Sequence, residues 1–189
     1  MIVLYAAALA ILLGFFLIEK YLRRGSKDMG RTKYDRGSTK LVSAAMGATF
    51  VLLILSPALN WLGIGVIPAL WAGVIGAVLG AGGLAIRYQA FHTLGRFFTR
   101  TLQETERHTL VTAGVYHRIR HPGYLSDILI FLGLGLAVRN WIAAGFVAAV
   151  YPAVYVYRIG AEEKMLAEIF KGEYEEYRRN TKKLIPFVY

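Results

Sequence analysis

Side chains able to do chemistry concentrate in two stretches of this 189-residue chain. The first, His108 to Tyr124, reads His-Thr-Leu-Val-Thr-Ala-Gly-Val-Tyr-His-Arg-Ile-Arg-His-Pro-Gly-Tyr. The second, Arg158 to Glu163, holds an arginine and two adjacent carboxylates. Singly, these residues have ordinary uses. A loop histidine is commonly solvated or a helix cap, and Arg118 and Arg120 suit lipid phosphates. Pro122 fits the first position of a helix, where a missing N–H costs nothing. Arg158 and Glu162, four apart, could be a surface pair worth ~0.3–0.5 kcal/mol.

As a group they predict something more specific. A helix starting at His121-Pro122 would aim unpaired N–H groups and its positive dipole end at an anion. Leu110 and Val111 supply an apolar wall, while Tyr116 and Tyr124 supply rings that pack on a heterocycle and donate hydrogen bonds. Arginine's planar fork at Arg158 suits a carboxylate or phosphate, and Glu162, on the same helix face, suits a cation. The expectation is one pocket for a ligand with an anionic and an aromatic end, beside a substrate anion.

The elements that must position these residues are apolar. Hydrophobic residues make up 56% of the chain and charged residues 18%, with a mean hydropathy of +0.46. A soluble surface needs more charge than that. We expect an all-α integral membrane bundle of five transmembrane helices, since ~20 apolar residues cross a hydrocarbon core of ~30 Å. The spans are Ile2–Ile18, closed by Glu19-Lys20, then Leu41–Leu62, Ile67–Ala90, Leu125–Val138 and Trp141–Tyr157. The first is expected to be a retained helix and not a signal peptide. After the fifth, Ala161 to Arg179 has apolar residues at helical spacing and reads as a continuation of that helix, stopped by Pro186. With five spans every large basic block falls on one side. The amino terminus is then outside, and the carboxyl terminus and both chemical stretches are cytoplasmic. One domain covers 1–189, with three N-terminal spans in 1–90 and a catalytic half in 91–189.

The third span carries Gly73, Gly76, Gly80, Gly82 and Gly83. Gly76 and Gly80, four apart, either let a neighbouring helix come close or leave room for a lipid tail. No strand precedes them, as a nucleotide-binding loop would require. The net charge of +10 fits anionic membrane lipids, and no aromatic–lysine interleaving points to nucleic acid. With no cysteine, disulfides, thiolate zinc sites and cysteine nucleophiles are excluded.

A family resemblance rests on particular residues. These are Leu94-Gly95-Arg96-Phe97-Phe98-Thr99, His108-Thr-Leu-Val-Thr-x-Gly-Val-Tyr116, Arg120-His-Pro-x-Tyr124, Arg158-x-x-x-Glu162-Glu163 and Glu173-Tyr-x-x-Tyr177. Over Arg87 to Pro186 the chain resembles the isoprenylcysteine carboxyl methyltransferases. Phospholipid N-methyltransferases and some integral-membrane sterol reductases carry strings similar to Arg-His-Pro-x-Tyr. The Leu-Val-Thr-x-Gly-Val-Tyr run and the Arg/Glu-Glu patch make the isoprenylcysteine carboxyl methyltransferases the better match. The N-terminal spans carry no motif of the family. The resemblance implies S-adenosylmethionine as cofactor and methyl esterification of a lipid-like carboxylate, such as a prenylated C-terminal cysteine. It places Gln103, His108, Thr109, Leu110, Val111, Tyr116, His121, Pro122, Gly123, Tyr124 and Glu162 on the cofactor and Arg158 on the substrate. Arg158, Glu162 and Glu163 form the implied catalytic group. Either glutamate could match the family's position, and Glu162 is favoured because it shares a face with Arg158. A carboxylate is already ionised at neutral pH, so the transfer needs neither a base nor a metal. The rival readings are amine methylation of a phospholipid, which needs a base, a nicotinamide-dependent membrane reductase, and a non-enzymatic scaffold.

Overall fold

The computed structural model describes residues 2–22, 34–95 and 110–185. In chain order the helices are α1 (Ile2–Leu22), α2 (Ser38–Trp61), α3 (Leu70–Leu94), α4 (Pro122–Ala137), α5 (Trp141–Phe170) and α6 (Gly172–Asn180), with a 3-10 turn at Gly114–His117 before α4. The described residues form no β-sheet, only two isolated bridges. Helices α1, α2, α3 and α5 are each long and apolar enough to cross a membrane. Helix α4 has 16 residues and so rises about 24 Å, short of the ~30 Å core. The expected five-helix bundle is therefore four long apolar helices and a shorter fifth.

Two boundaries differ from expectation for physical reasons. Helix α1 runs through Glu19 to Leu22, and Glu19 is buried instead of closing the span in the headgroups. It can be, because Arg87 neutralises it at 2.5 Å. The amphipathic continuation is also not one helix. Helix α5 proceeds unbroken from Trp141 to Phe170, Lys171 then takes φ 48°, and α6 sets off as a separate element. It stops at Asn180, well before Pro186.

Helices α3 and α4 form the closest pair, and the third-span glycines explain why. A Cβ on Gly76 would stand 2.5 Å from the Ala137 nitrogen, and one on Gly133 would stand 2.5 Å from the Gly80 nitrogen. Gly76 and Gly83 thus serve backbone approach to α4, whereas Gly73 and Gly80 make room for Leu4 and Ile11 of α1 and Gly82 meets nothing. Helix α1 packs on α3 and α4, whereas α2 packs on α5. Phe15, Phe131, Tyr151 and Tyr155 fill the space between, and Phe16 and Phe50 stack at 5.7 Å where α1 and α2 approach. Outward-facing Leu9, Leu13, Val51, Ile54 and Val78 are exposed, as lipid contact requires.

The two ends of the bundle differ. At one, Trp61, Trp71 and Trp141 are all exposed, Arg139 donates to the Ile67 and Pro68 carbonyls, and a neutral clasp joins the turns. There Asn140 Nδ2 donates to Asn60 Oδ1 at 2.8 Å while its Oδ1 accepts the N–H groups of Ile142 and Ala143, capping α5. At the other end lie Lys20, Arg36, Lys40, the approach to α4, and α6.

Candidate active site

The site begins with the turn into α4. Pro122 starts the helix, and the segment before it is held by the end of the chain. Arg120 and His121 donate their N–H groups to the Lys182 and Lys183 carbonyls at 2.8 and 3.0 Å, and the Lys182 N–H returns to the Arg118 carbonyl. Arg120 does not reach lipid phosphates. Its guanidinium is buried, donating to Glu163 at 3.0 Å, to the Arg178 carbonyl and to Thr181. The His121 side chain is no cap either. It is buried between Glu162, 3.5 Å from Nδ1, and Glu163, 3.4 Å from Nε2, and stacks on Tyr124 at 5.6 Å. Burial pushes its pKa down, but hydrogen bonds and charge from both carboxylates outweigh that and hold it above the ordinary histidine value.

Helix α5 brings the second stretch to the same place. Tyr124 joins the two: its hydroxyl accepts from Arg158 Nε at 2.9 Å and donates to Glu162 at 2.6 Å. Arg158 Nη1 donates to Ser38 and Thr39 of α2 at 2.9 and 3.0 Å and lies 3.4 Å from Asp35. One turn deeper, Arg87 of α3 bridges Glu19 of α1 and Asp127 of α4, and Tyr155 donates to Asp127 at 2.7 Å. The Arg87 guanidinium also lies 4.6 and 4.5 Å from the centres of the Phe15 and Phe91 rings.

These groups surround a cavity of about 510 Å³. Leu110, Val111, Tyr116, His121, Gly123, Tyr124, Arg158 and Glu162 all line it, so the two stretches do meet. Nothing stands within 4 Å of where a Gly123 side chain would be, leaving room at the start of α4. Tyr116 projects from the 3-10 turn, whose carbonyl at Tyr116 accepts from Tyr177 at 2.7 Å. Burial holds the Tyr116 phenol well above its usual pKa, so it stays a donor. The lining continues with the paired Glu19, Arg87 and Asp127 and with an apolar wall of Phe15 and Phe16 from α1 and Val42, Met46, Gly47 and Phe50 from α2. Pro122 and Glu163 do not line the cavity. Pro122 shapes the turn, and Glu163 faces Arg120, His121 and Lys183. Gln103, His108 and Thr109 lie outside the described residues.

Sequence reasoning missed two groups here. Asp127 and Arg87 are ionisable residues in apolar helices, and that signal alone marks a functional place in a membrane. Asp35, Ser38 and Thr39 offered only a helix-start pattern. The site's chemistry accommodates an adenosyl sulfonium ligand: apolar walls and a phenol for a heterocycle, open space at a helix start, and a carboxylate, Glu162, for positive charge.

Apolar membrane-length helices around a cavity with a charged mouth define a multi-pass integral membrane protein. Residues 75–168 match the model of the isoprenylcysteine carboxyl methyltransferase family. The chain is 33% identical over 120 residues to protein-S-isoprenylcysteine O-methyltransferase A of Arabidopsis thaliana, across 62% of this chain and 61% of that one. It is 36% identical over 118 residues to the Saccharomyces cerevisiae protein-S-isoprenylcysteine O-methyltransferase, covering 61% of this chain and 49% of the relative. A solved structure of the eukaryotic intramembrane Ras methyltransferase, isoprenylcysteine carboxyl methyltransferase, superposes with a TM-score of 0.59 at 27% identity over 79% of this chain and 52% of that one. The chain belongs to the isoprenylcysteine carboxyl methyltransferase family. It spans 61% of the length of the Arabidopsis relative and 49% of the yeast one.

Proposed function

We propose that this protein is an S-adenosylmethionine-dependent carboxyl O-methyltransferase acting on a lipid-like carboxylate, such as a prenylated C-terminal cysteine. The single observation that carries the reading is the continuity of one cavity. It joins His121, Glu162 and Arg158 to an apolar arm lined by Phe15, Phe16, Met46 and Phe50, with the paired Glu19, Arg87 and Asp127 also on its wall. A polar cofactor and a lipid tail need such a two-phase space.

Leu110, Val111, Tyr116, Gly123 and Tyr124 would hold the cofactor, with Glu162 on its positive charge. Gln103, His108 and Thr109 belong to the same proposed set, and Pro122 contributes by shaping the turn. Glu163 acts behind them, fixing His121 and Arg120. S-adenosylmethionine, when bound, supplies a methyl group on a positively charged sulfur. Arg158 orients the substrate carboxylate so that an oxygen–methyl bond forms as the carbon–sulfur bond breaks. Anion and sulfonium charges cancel, leaving a neutral ester and a neutral thioether, with no proton to move. The residues therefore contribute alignment, worth several kcal/mol, and exclusion of water from the attacking oxygen.

The domain is a single unit over 1–189. The basic end faces the cytoplasm and the tryptophan end faces outward, by the excess of lysine and arginine at one end. Anionic lipids there are its membrane partners.

The test offers purified protein a labelled methyl donor with either an amine-blocked farnesylcysteine or phosphatidylethanolamine. A base-labile methyl ester on the farnesylcysteine is expected. Label on the amine lipid, or on neither, would overturn the reading.

A further inference from the structure

We propose that Asp35, in the turn that opens α2, is a positioning group for the substrate carboxylate. It holds Arg158 through the Ser38 and Thr39 hydroxyls and takes up part of the guanidinium's charge. Arg158 then orients an incoming carboxylate without binding it so tightly that its oxygen loses nucleophilicity. The inference rests on the reading of Arg158 as receiver of that carboxylate.

The hydrogen bonds run in one direction. Ser38 Oγ donates to Asp35 Oδ1 at 3.1 Å and accepts from Arg158 Nη1 at 2.9 Å. Thr39 Oγ1 does the same at 2.5 and 3.0 Å, and the Thr39 N–H also points at Asp35, at 3.2 Å. A hydroxyl has one proton. Because Asp35 receives both of these protons, both oxygens must turn their lone pairs to Arg158. Asp35 lies 3.4 Å from the same Nη1, and the two residues are 3% and 4% exposed, so water screens their attraction little. Burial pushes the Asp35 pKa up, but the Thr39 and Ser38 hydroxyls, the Thr39 N–H and Arg158 bring it below the ordinary value, so the group is an anion at neutral pH. All three residues lie outside the stretch that matches the family model.

The kinetic consequence has an unusual sign. With Asp35 neutral, Glu162 would be the anion left beside Arg158, and the guanidinium would pair more fully with an incoming carboxylate and neutralise more of its charge. Ground-state binding of that kind lowers KM without raising kcat. Removing the charge of Asp35 therefore tightens binding of the acid and slows its methylation. A residue serving only to hold α2 in place would instead weaken both.

The experiment compares wild type, Asp35→Asn and Thr39→Val. Calorimetry in detergent micelles measures binding of amine-blocked farnesylcysteine as free acid and as methyl ester, and methyl transfer to the acid gives kcat and KM. Wild type should prefer the acid. Asp35→Asn should widen that preference by about threefold or more and lower kcat by about tenfold or more. Thr39→Val, which keeps the shape and removes one hydroxyl, should lower kcat several-fold without raising KM, and it carries the test if Asp35→Asn does not fold. An acid preference that is unchanged or narrower in Asp35→Asn overturns the inference, as does Thr39→Val with wild-type kcat or a raised KM. Equal binding of acid and ester by wild type sinks the reading of Arg158 itself, and the inference with it.

Discussion

Tyr124 shows how much one side chain can hold together: its single hydroxyl serves both Arg158 and Glu162. Residue-level predictions separate the two functions it joins. Arg158→Ala should reduce methyl transfer by about 100-fold or more, since alignment is what the residue supplies. Calorimetric affinity for S-adenosylhomocysteine should stay within a few-fold, because Arg158 bonds to the proposed cofactor set at Tyr124, whose own bond to Glu162 does not depend on the arginine. Strong loss of that affinity would reassign the arginine. His121 makes a pH prediction whose sign follows from its raised pKa. A raised folded-state pKa contributes stability that is fully present below the unfolded value of ~6.5 and is lost as pH rises through the folded value. The melting temperature of wild type should thus exceed that of His121→Gln at pH 6, and the gap should shrink as the pH is raised through that window. A gap that does not change with pH would mean the imidazole is neutral between its two carboxylates.

At the level of elements, α2 is the piece that neither the motifs nor the resemblance singled out, and it supplies both polar and apolar wall. Gly47 sits on the inner arm of the cavity with nothing within 4 Å of where a side chain would begin. Gly47→Leu should fill that arm. Methylation of a farnesyl substrate should fall by about tenfold and that of a short-chain thioether analogue by less than about twofold. Equal losses for the two would remove the arm from the tail's path. The helices themselves were legible because crossing a membrane imposes a length and a composition that a sequence displays directly. Glu19 and Lys171 were not. The first is buried by an arginine 68 positions away, and the second breaks a helix through a backbone angle that its residue type does not announce. Within the site, the stretches meeting at Tyr124 were readable from helix spacing and the family's motif. The Asp35 contact to Arg158 spans 123 positions, and no local pattern encodes a partner at that distance.

The whole molecule is polarised, with tryptophans, an asparagine clasp and a single arginine, Arg139, among the described residues at one end and most basic side chains at the other. Such belts sit at the headgroup level, while lysine and arginine mark the cytoplasmic face. The absence of cysteine makes this simple to check with single introduced thiols. In intact cells a membrane-impermeant maleimide should label Leu62→Cys and should label Lys171→Cys only after permeabilisation; the reverse pattern would invert the protein. The pairing of residues 182–183 with 118–121 bears on how the protein matures. A bundle assembled from α1 to α5 alone would lack the Lys182 and Lys183 carbonyls that receive the Arg120 and His121 N–H groups. Assembly of the long helices and completion of the pocket are therefore separable, the second needing the residues that follow α6.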